Sequence, residues 1–393
     1  MSIKPLSEQF QHNTAVALIV CFLVLLWLPT LDFFFGLDRT PQPNENRALT
    51  RFPVLPDSLA AAHDFPTSLE MYFRDHFGFR NRLIRWERRW KHDLFKESAS
   101  PDVIMGRNGW LFFSGDYMME HFEGLRVFPA EELRNWQTLL EKRRDWLARR
   151  GIKYLFVITP DKQSIYPELL PEWLAGLRST NKLDQFVAHM KAHSTVEVLD
   201  LRPALLEAKR SALTYLQTDT HWNTYGGFVA YQALVNALRR QLPGLPEPLP
   251  LTDFNRRPTE RTGGDLTRMM GQPNLPRDTN AILFSLRTPR PKLTVVDASD
   301  RLPSKKRRPL TEPQSTRYEG VTGKAIVFHD SFACTWYPFL GYHFQEVVYI
   351  WQYEWEAAFI EREKPAVVID EMLERLFLKA DPVELLEKDA LRD

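Results

Sequence analysis

Residues 324–332 read KAIVFHDSF, in which the short apolar run KAIVF is followed at once by a turn that contains Asp330 and Ser331. A short apolar run bounded by turn residues is typical of a strand buried in a sheet. In α/β folds, ligands bind at the carboxyl ends of parallel strands. The segment therefore predicts an α/β fold in which Ser331 lies at the functional edge of the sheet.

Strand and helix patterns alternate on both sides of this segment. Apolar runs predict strands over 154–159, 196–200, 347–350 and 366–369, and helical periodicity predicts helices over 131–149, 183–193, 224–238 and 371–378. Because such alternation produces parallel strands, we expect a parallel sheet flanked by helices. The segment from about residue 242 to residue 318 is rich in Pro, Gly and Arg, and this composition predicts an irregular insertion.

A second motif, TDTHWN at residues 218–223, comes just before the predicted helix of 224–238. In extended backbone, side chains two residues apart share a face, so the Asp219 carboxylate can accept a hydrogen bond from one ring nitrogen of His221. The other ring nitrogen can then take a proton from a hydroxyl, as a general base must. With Ser331 as nucleophile, these residues complete the set of a Ser-His-Asp triad.

A serine nucleophile also needs hydrogen-bond donors that stabilise the oxyanion formed during the reaction. The backbone N–H of Ser331 is one candidate, and Gly263 and Gly264 are candidates for a second donor by close approach. Each of these signals has an ordinary structural alternative. The histidine can be a capping or core residue, the Asp-Ser pair can cap a helix, and the two glycines can form a turn. Neither a metal site nor a cofactor is predicted.

The N-terminal segment predicts a membrane anchor. Residues 15–28, AVALIVCFLVLLWL, carry no charge and, with their neighbours, make an apolar helix of about 18 residues or more, near the length that crosses a bilayer. No small-residue cleavage site follows, so an uncleaved signal-anchor is expected, with a buried helix of a cytoplasmic protein as the alternative. Lys4 before the span and Asp32 and Asp38 after it predict that the rest of the chain lies outside.

These patterns divide the chain into three parts. Residues 1–38 form the anchor, residues 39–65 form an extended linker punctuated by prolines, and residues 66–393 form the α/β domain. The sequence has 51 Lys+Arg and 50 Asp+Glu residues, and its net charge of +1 argues against a nucleic-acid-binding protein. The basic run of 305–308 would suit an anionic polymer, although a solvated loop is the favoured explanation.

Several segments together resemble the SGNH-hydrolase-like O-acetyltransferases of bacterial exopolysaccharide secretion, the DHHW-like family of the alginate enzymes AlgJ and AlgX. The resemblance rests on DTHWN at 219–223, HDSF at 329–332, ITPDKQSIYPELLP at 158–171, ENRALTRFP at 45–53 and RDHFGFR at 74–80. As in that family, Asp and His precede Ser along the chain. His329 replaces the glycine of the usual Gly-Asp-Ser turn. Because no carbohydrate-binding module is expected after Asp370, the chain is more similar to AlgJ than to AlgX.

The resemblance implies an acetyltransferase of the bacterial inner membrane with its catalytic domain in the periplasm. Asp219, His221 and Ser331 would form the triad, with Tyr337 near the site. An acetyl-enzyme on Ser331 would pass acetyl groups to hydroxyls of a secreted polysaccharide, alginate or a similar one. A membrane-bound O-acyltransferase would be the donor partner. Two alternatives stay open: an esterase that removes acetyl groups, and a non-catalytic polysaccharide-binding subunit of the export complex.

Overall fold

The computed structural model describes residues 6–38, 49–56, 59–84, 86, 100–271, 278–288, 290–291, 293–298, 301 and 314–391. The chain separates into two compact units. The first comprises Met1–Ser100 with Arg268–Gly271, and the second comprises Pro101–Thr267 with Gln272–Asp393. The basic run of 305–308 lies outside the described residues.

The first unit contains two long helices, α1 at Leu6–Phe35 and α2 at Leu59–His76. Within α1, Asn13–Phe35 is 23 residues long, has a mean hydropathy of 2.5 in its most apolar window, and buries none of that window inside the protein. By length and composition this helix can cross a membrane. Residues 59–65, which the sequence analysis places in an extended linker, instead form the first turns of α2, because LAAA at 59–62 is a run of strong helix formers.

Two of the family-like segments meet inside this first unit. The Asp75 carboxylate of RDHFGFR accepts hydrogen bonds from the backbone N–H of Thr50 at 2.9 Å and from the Thr50 hydroxyl at 2.8 Å. The Asp32 carboxylate, near the end of α1, accepts the N–H of Phe79 at 2.7 Å. A Cβ added to Gly78 would lie 2.0 Å from the Pro29 carbonyl oxygen, so this approach requires glycine. These contacts attach the turn after α2 to the end of the apolar helix.

The second unit is built around a seven-stranded sheet with the strand order β4-β3-β11-β9-β10-β8-β7. The strands are β3 Lys153–Thr159, β4 Val198–Asp200, β7 Thr294–Asp297, β8 Gln314–Arg317, β9 Lys324–Phe328, β10 Glu346–Ile350 and β11 Val367–Leu373. The five strands from β4 to β10 are parallel, as the sequence predicts. The two remaining strands, β8 and β7, add to the edge in antiparallel orientation and make the sheet mixed.

The segment of about 242–318, which we expected to be irregular, contributes four strands. β7 and β8 extend the main sheet, and β5 at Phe254–Arg261 pairs with β6 at Asp278–Leu286 in a separate antiparallel sheet. Short polar strands such as QSTR of β8 lack the apolar alternation that identifies a strand in a sequence. A further antiparallel pair is formed by β1 at Val103–Met105 and β2 at Leu111–Phe113.

Helices cover both faces of the main sheet and bury alternate residues of its strands. The remaining helices are α3 Met118–Phe122, α4 Ala130–Ala148, α5 Lys162–Ile165, α6 Glu172–Ala175, α7 Lys182–His193, α8 Arg202–Ala208, α9 Thr224–Gln241, α10 Asp265–Met269, α11 Tyr337–Leu340, α12 Ala357–Glu363, α13 Glu374–Phe377 and α14 Pro382–Asp389. Leu155 and Val157 of β3 belong to one core with Leu234 of α9. Phe156 belongs to the opposite core with Trp136 of α4. Because both faces are buried, chemistry is confined to the strand ends.

Candidate active site

Asp219 and His221 lie in a tight loop of residues 215–222, which we call the Asp-His loop. Its base is closed by an antiparallel bridge between Tyr215 and Trp222. Inside the loop, the backbone N–H of Leu216 donates to the His221 carbonyl at 3.1 Å. Helix α9 begins directly after it, and the Asn223 side chain caps that helix by accepting the N–H of Gly226 at 2.9 Å. Both ends of the loop are therefore fixed.

Ser331 lies in the turn that directly follows β9, at the carboxyl edge of the parallel strands. Asp330 shapes this turn: its Oδ1 accepts the N–H of Phe332 at 3.0 Å, and its Oδ2 accepts the Tyr353 hydroxyl at 2.6 Å. The backbone of Ser331 has φ −63° and ψ −24°, which is ordinary right-handed helical geometry. The hydroxyl is therefore presented without backbone strain.

The three predicted polar side chains form one continuous chain of hydrogen bonds. His221 Nδ1 donates to Asp219 Oδ1 at 2.6 Å, and the Ser331 hydroxyl donates to His221 Nε2 at 2.7 Å. The His221 ring lies beside Phe332, with 4.7 Å between ring centroids, which holds the imidazole plane. In this arrangement the hydroxyl proton of Ser331 can pass to His221 while Asp219 fixes the tautomer.

Asp219 is buried and is held as a carboxylate. Its side chain is 2% exposed, whereas that of His221 is 31% exposed. Its second oxygen, Oδ2, faces the backbone N–H of Asp265 at 3.3 Å and Nη2 of Arg261 at 3.4 Å. Burial alone would raise the pKa of Asp219, but the hydrogen bonds and charge of His221, with the charge of Arg261, lower this pKa below its ordinary value.

The two glycines predicted as oxyanion donors lie on the Asp219 side of the site. The backbone N–H of Gly264 donates to the Thr218 hydroxyl at 2.9 Å, so this donor already has a partner. A Cβ added to Gly264 would lie 2.4 Å from the Asp219 Cβ. The close approach predicted for Gly264 is therefore made to Asp219. An oxyanion role for Gly263 stays a prediction.

Tyr337 lies on the other side of the Ser331 turn, where it contacts His329. Its hydroxyl donates to His329 Nε2 at 3.1 Å, and His329 Nδ1 in turn donates to the Asp330 carbonyl at 2.5 Å. Burial lowers the pKa of His329 to about 4, so its ring is neutral. Tyr337 and His329 thus support the backbone of the turn, and a direct substrate contact of Tyr337 stays a prediction.

A buried acid also supports this turn. Glu371 of β11 is inaccessible to solvent, and its Oε2 accepts the backbone N–H of Asp330 at 3.0 Å. Burial and the neighbouring Asp330 raise the pKa of Glu371 well above its usual range. Its surroundings therefore favour the neutral form of Glu371, which avoids two adjacent buried charges.

Among the described residues, one group of side chains is compact enough to be considered as a metal site. Ligand atoms of Asp219, His221 and Asp265 lie within 4.8 Å of one another. Both ring nitrogens of His221 are already hydrogen-bonded, to Asp219 and to Ser331. A metal would have to displace the Asp219 hydrogen bond, so the donor set suits proton transfer rather than metal binding, and we identify no metal ligands in it.

Sequence reasoning missed the residues that hold the Asp-His loop in place. The N–H of Thr218 donates to Asp278 Oδ1 at 2.7 Å, and the N–H of Thr220 donates to Asp265 Oδ1 at 2.8 Å. From inside the fold, Lys162 Nζ donates to the Asp219 carbonyl at 2.7 Å. Lys162 belongs to the segment ITPDKQSIYPELLP. The resemblance of this segment to the family was the feature of the sequence that could have pointed to Lys162.

Comparison with known proteins finds a matching family model and several similar proteins. A family model described as the SGNH hydrolase-like domain of acetyltransferase AlgX matches residues 103–309, which include the Asp-His loop. The probable alginate O-acetylase AlgJ of Pseudomonas putida is 31% identical over 223 residues, which are 55% of this chain and 54% of that protein. Its counterpart in Pseudomonas syringae pv. tomato is 28% identical over 247 residues, 62% of this chain and 58% of that protein. The chain thus spans about half the length of the curated relatives it matches.

The fold is also found among solved structures. The structure of Bacillus cereus PatB1 with a sulfonyl adduct has a TM-score of 0.54 with 14% sequence identity, and the match covers 72% of this chain and 98% of that chain. At this identity the likeness concerns the fold, and it agrees with the SGNH-like α/β architecture of the second unit.

Proposed function

The chain belongs to the family of the SGNH hydrolase-like domain of acetyltransferase AlgX, and we propose that it is an O-acetyltransferase that modifies hydroxyls of a secreted polysaccharide. The polymer that its relatives' names support is alginate. The observation that carries the proposal is the hydrogen-bonded chain from Asp219 through His221 to Ser331. This arrangement suits transfer of an acyl group through a serine ester.

The reaction proceeds in two displacements. Ser331 Oγ attacks the acetyl carbonyl carbon of the donor while its proton moves to His221 Nε2, and the donor's leaving group departs with that proton. The product of this half-reaction is an acetyl ester on Ser331. A sugar hydroxyl then gives its proton to His221 and attacks the ester, and Ser331 takes the proton back as the bond to its oxygen breaks. Asp219 stabilises the imidazolium formed in both steps.

The competing fate of the acetyl-enzyme is attack by water, which would make the protein an esterase. The two activities are separated with a small donor ester that carries a labelled acetyl group, incubated with and without alginate oligosaccharides. We expect label on the oligosaccharide and a smaller share of free acetate when acceptor is present. Free acetate alone, unchanged by acceptor, would assign the esterase activity instead.

A pair of serine variants tests whether the chain is catalytic at all. Ser331→Ala should remove both transfer and acetate release. The matched control is Ser114→Ala, because the Ser114 hydroxyl donates to the Pro101 carbonyl away from the site, and this variant should retain activity. Equal rates in the two variants would favour a non-catalytic polysaccharide-binding subunit.

We further propose that residues 1–38 anchor the enzyme in the inner membrane, with the catalytic domain in the periplasm. The apolar helix Asn13–Phe35 supports this part of the proposal. An anchor would hold the enzyme beside a membrane-bound O-acyltransferase at high effective concentration. A secreted protein without residues 1–38 should hydrolyse a small ester but fail to acetylate polymer in cells. Full polymer acetylation by the free protein would contradict a membrane-coupled acetyl relay.

A further inference from the structure

Lys162 is a buried lysine that lies directly beneath the Asp-His loop. The residue is 2% exposed. Its Nζ donates to three carbonyl oxygens of that loop, those of Leu216 at 3.0 Å, Gln217 at 3.2 Å and Asp219 at 2.7 Å. An ammonium group has three N–H donors and no acceptor, so the three carbonyls use its full capacity. All these partners belong to the segment that carries Asp219.

Two aromatic rings also lie near the ammonium group of Lys162. Within the described part of the chain, Lys162 makes no salt bridge with a carboxylate, and its contacts on the other side are the rings of Trp110 and Phe112, with 5.5 and 5.3 Å from Nζ to the ring centroids. A buried charge that only filled space would be replaced at a gain by an apolar side chain. The Lys162 ammonium instead donates hydrogen bonds to the backbone carbonyls of one loop.

We propose that Lys162 is a positioning residue that holds the backbone of 216–219 so that the Asp219 carboxylate meets His221 in the geometry needed for proton transfer. The inference rests on the proposed function. The outer side of the loop is held by Asp278, which accepts the N–H of Thr218, and by Gly264, which donates to the Thr218 hydroxyl. Lys162 supplies the inner side, where carbonyl oxygens point into the protein and need a donor.

The arrangement has a consequence for alkaline pH. The titratable groups whose charges act on Lys162 are Asp265, Asp219 and Asp278, all of which favour its protonated form. Burial outweighs them and lowers the pKa of Lys162 to about 7. A neutral amine has only two N–H donors, so one loop carbonyl loses its partner as pH rises above this pKa. The rate should therefore decline on the alkaline side.

The test compares Lys162→Met with Lys209→Met in the full chain. Lys209 is a control of the same type, since its Nζ donates to the Ile165 carbonyl and to Glu168 away from the Asp-His loop. On p-nitrophenyl acetate, we expect kcat of Lys162→Met to fall about a hundredfold at nearly unchanged KM, the cost of a small misplacement of a catalytic group. Inactivation by a sulfonyl fluoride should slow by a similar factor, and the alkaline decline of kcat should vanish. Lys209→Met should keep the wild-type profile.

A purely structural role predicts a different outcome. If Lys162→Met lowers the melting temperature but the folded protein keeps the wild-type kcat and pH profile, the inference is overturned, while activity that depends on Ser331 would leave the proposed function intact. If Lys162→Met does not fold, the pH dependence of the wild-type kcat decides between the two roles. A kcat that declines above neutral pH supports the positioning role, and a kcat that stays level to about pH 10, near the ordinary lysine pKa, overturns it.

Discussion

The backbone of Gly264 lies against Asp219 so closely that a Cβ at position 264 would sit 2.4 Å from the Asp219 Cβ and 2.6 Å from its Cα. Gly264 therefore sets the position of the acid that orients His221. The contact links two segments far apart in sequence, the turn before α10 and the Asp-His loop. Any side chain at position 264 must push one of them away.

Gly264→Ala is predicted to lower kcat by at least about tenfold, because the displaced Asp219 no longer aligns with His221. Gly176→Ala is the matched control, since a Cβ there meets nothing within 4 Å. Steady-state kinetics on a small acetyl ester measures both. Wild-type kcat in folded Gly264→Ala would show that the Asp-His loop tolerates the shift.

Asp219→Asn should keep the fold but favour the wrong tautomer of His221, since an amide can present a donor where the carboxylate accepts. The expected loss of kcat is about a thousandfold or more, by analogy with other triads. Asp265→Asn is the comparison, because Asp265 receives the Thr220 N–H and not the main His221 hydrogen bond. It should lose far less. A loss below about tenfold in Asp219→Asn would remove Asp219 from the triad.

The rate should rise with pH on the acid side because His221 must be neutral to accept the Ser331 proton. Asp219 does not contribute to this rise of the rate, because its pKa is lowered in the folded protein. A lowered carboxyl pKa stabilises the fold above the unfolded pKa of about 4, and this contribution is lost as pH falls through the folded value. Between about pH 5 and pH 7, below the alkaline decline expected from Lys162, kcat/KM on a small ester should therefore increase while the fold stays intact. A level profile would argue against a histidine base.

Arg143 of α4 is predicted to be a large contributor to stability. It is 1% exposed, and its guanidinium pairs with Asp370 at 2.8 Å and with Asp389 at 2.7 Å. Arg143→Met removes the cation that Asp370 and Asp389 share and leaves both buried carboxylates without it. This variant should therefore lower the free energy of unfolding by about 3 to 5 kcal/mol. Arg144 is the next residue in the sequence, and its ion pair with Asp145 is partly exposed to solvent. Arg144→Met should therefore cost about 1 kcal/mol or less. Equal denaturation midpoints would contradict this ranking.

The elements that the sequence predicts well are those with a strong local pattern. β3, β9 and β11 are apolar runs bounded by turns, and they lie at the centre of the sheet. The sequence did not predict β7 and β8, because strands of only four residues bury too few side chains to leave a recognisable pattern. Residues 59–65 were assigned to the linker because Pro56 and Pro66 suggested extended chain, whereas Pro66 lies inside α2.

The candidate site was predictable where residue chemistry is local, and not where it is held by distant partners. Asp219 and His221 are two residues apart, so their hydrogen bond follows from spacing. The contact of His221 with Ser331 spans 110 residues and was inferred from the residue types and the topology. The support given by Lys162 is made to backbone carbonyls, which carry no side-chain signature in a sequence.

The most direct test of the acyl-transfer account is to locate the acetyl group on the enzyme. The protein is incubated briefly with p-nitrophenyl acetate in the absence of acceptor, quenched in acid and digested, and the peptides are analysed by mass spectrometry. The account predicts one acetyl group on Ser331, lost when alginate oligosaccharide is added before the quench, and absent from Ser331→Ala. Acetyl transfer to polymer by Ser331→Ala at the wild-type rate, or an acetyl group found instead on another residue, would contradict it.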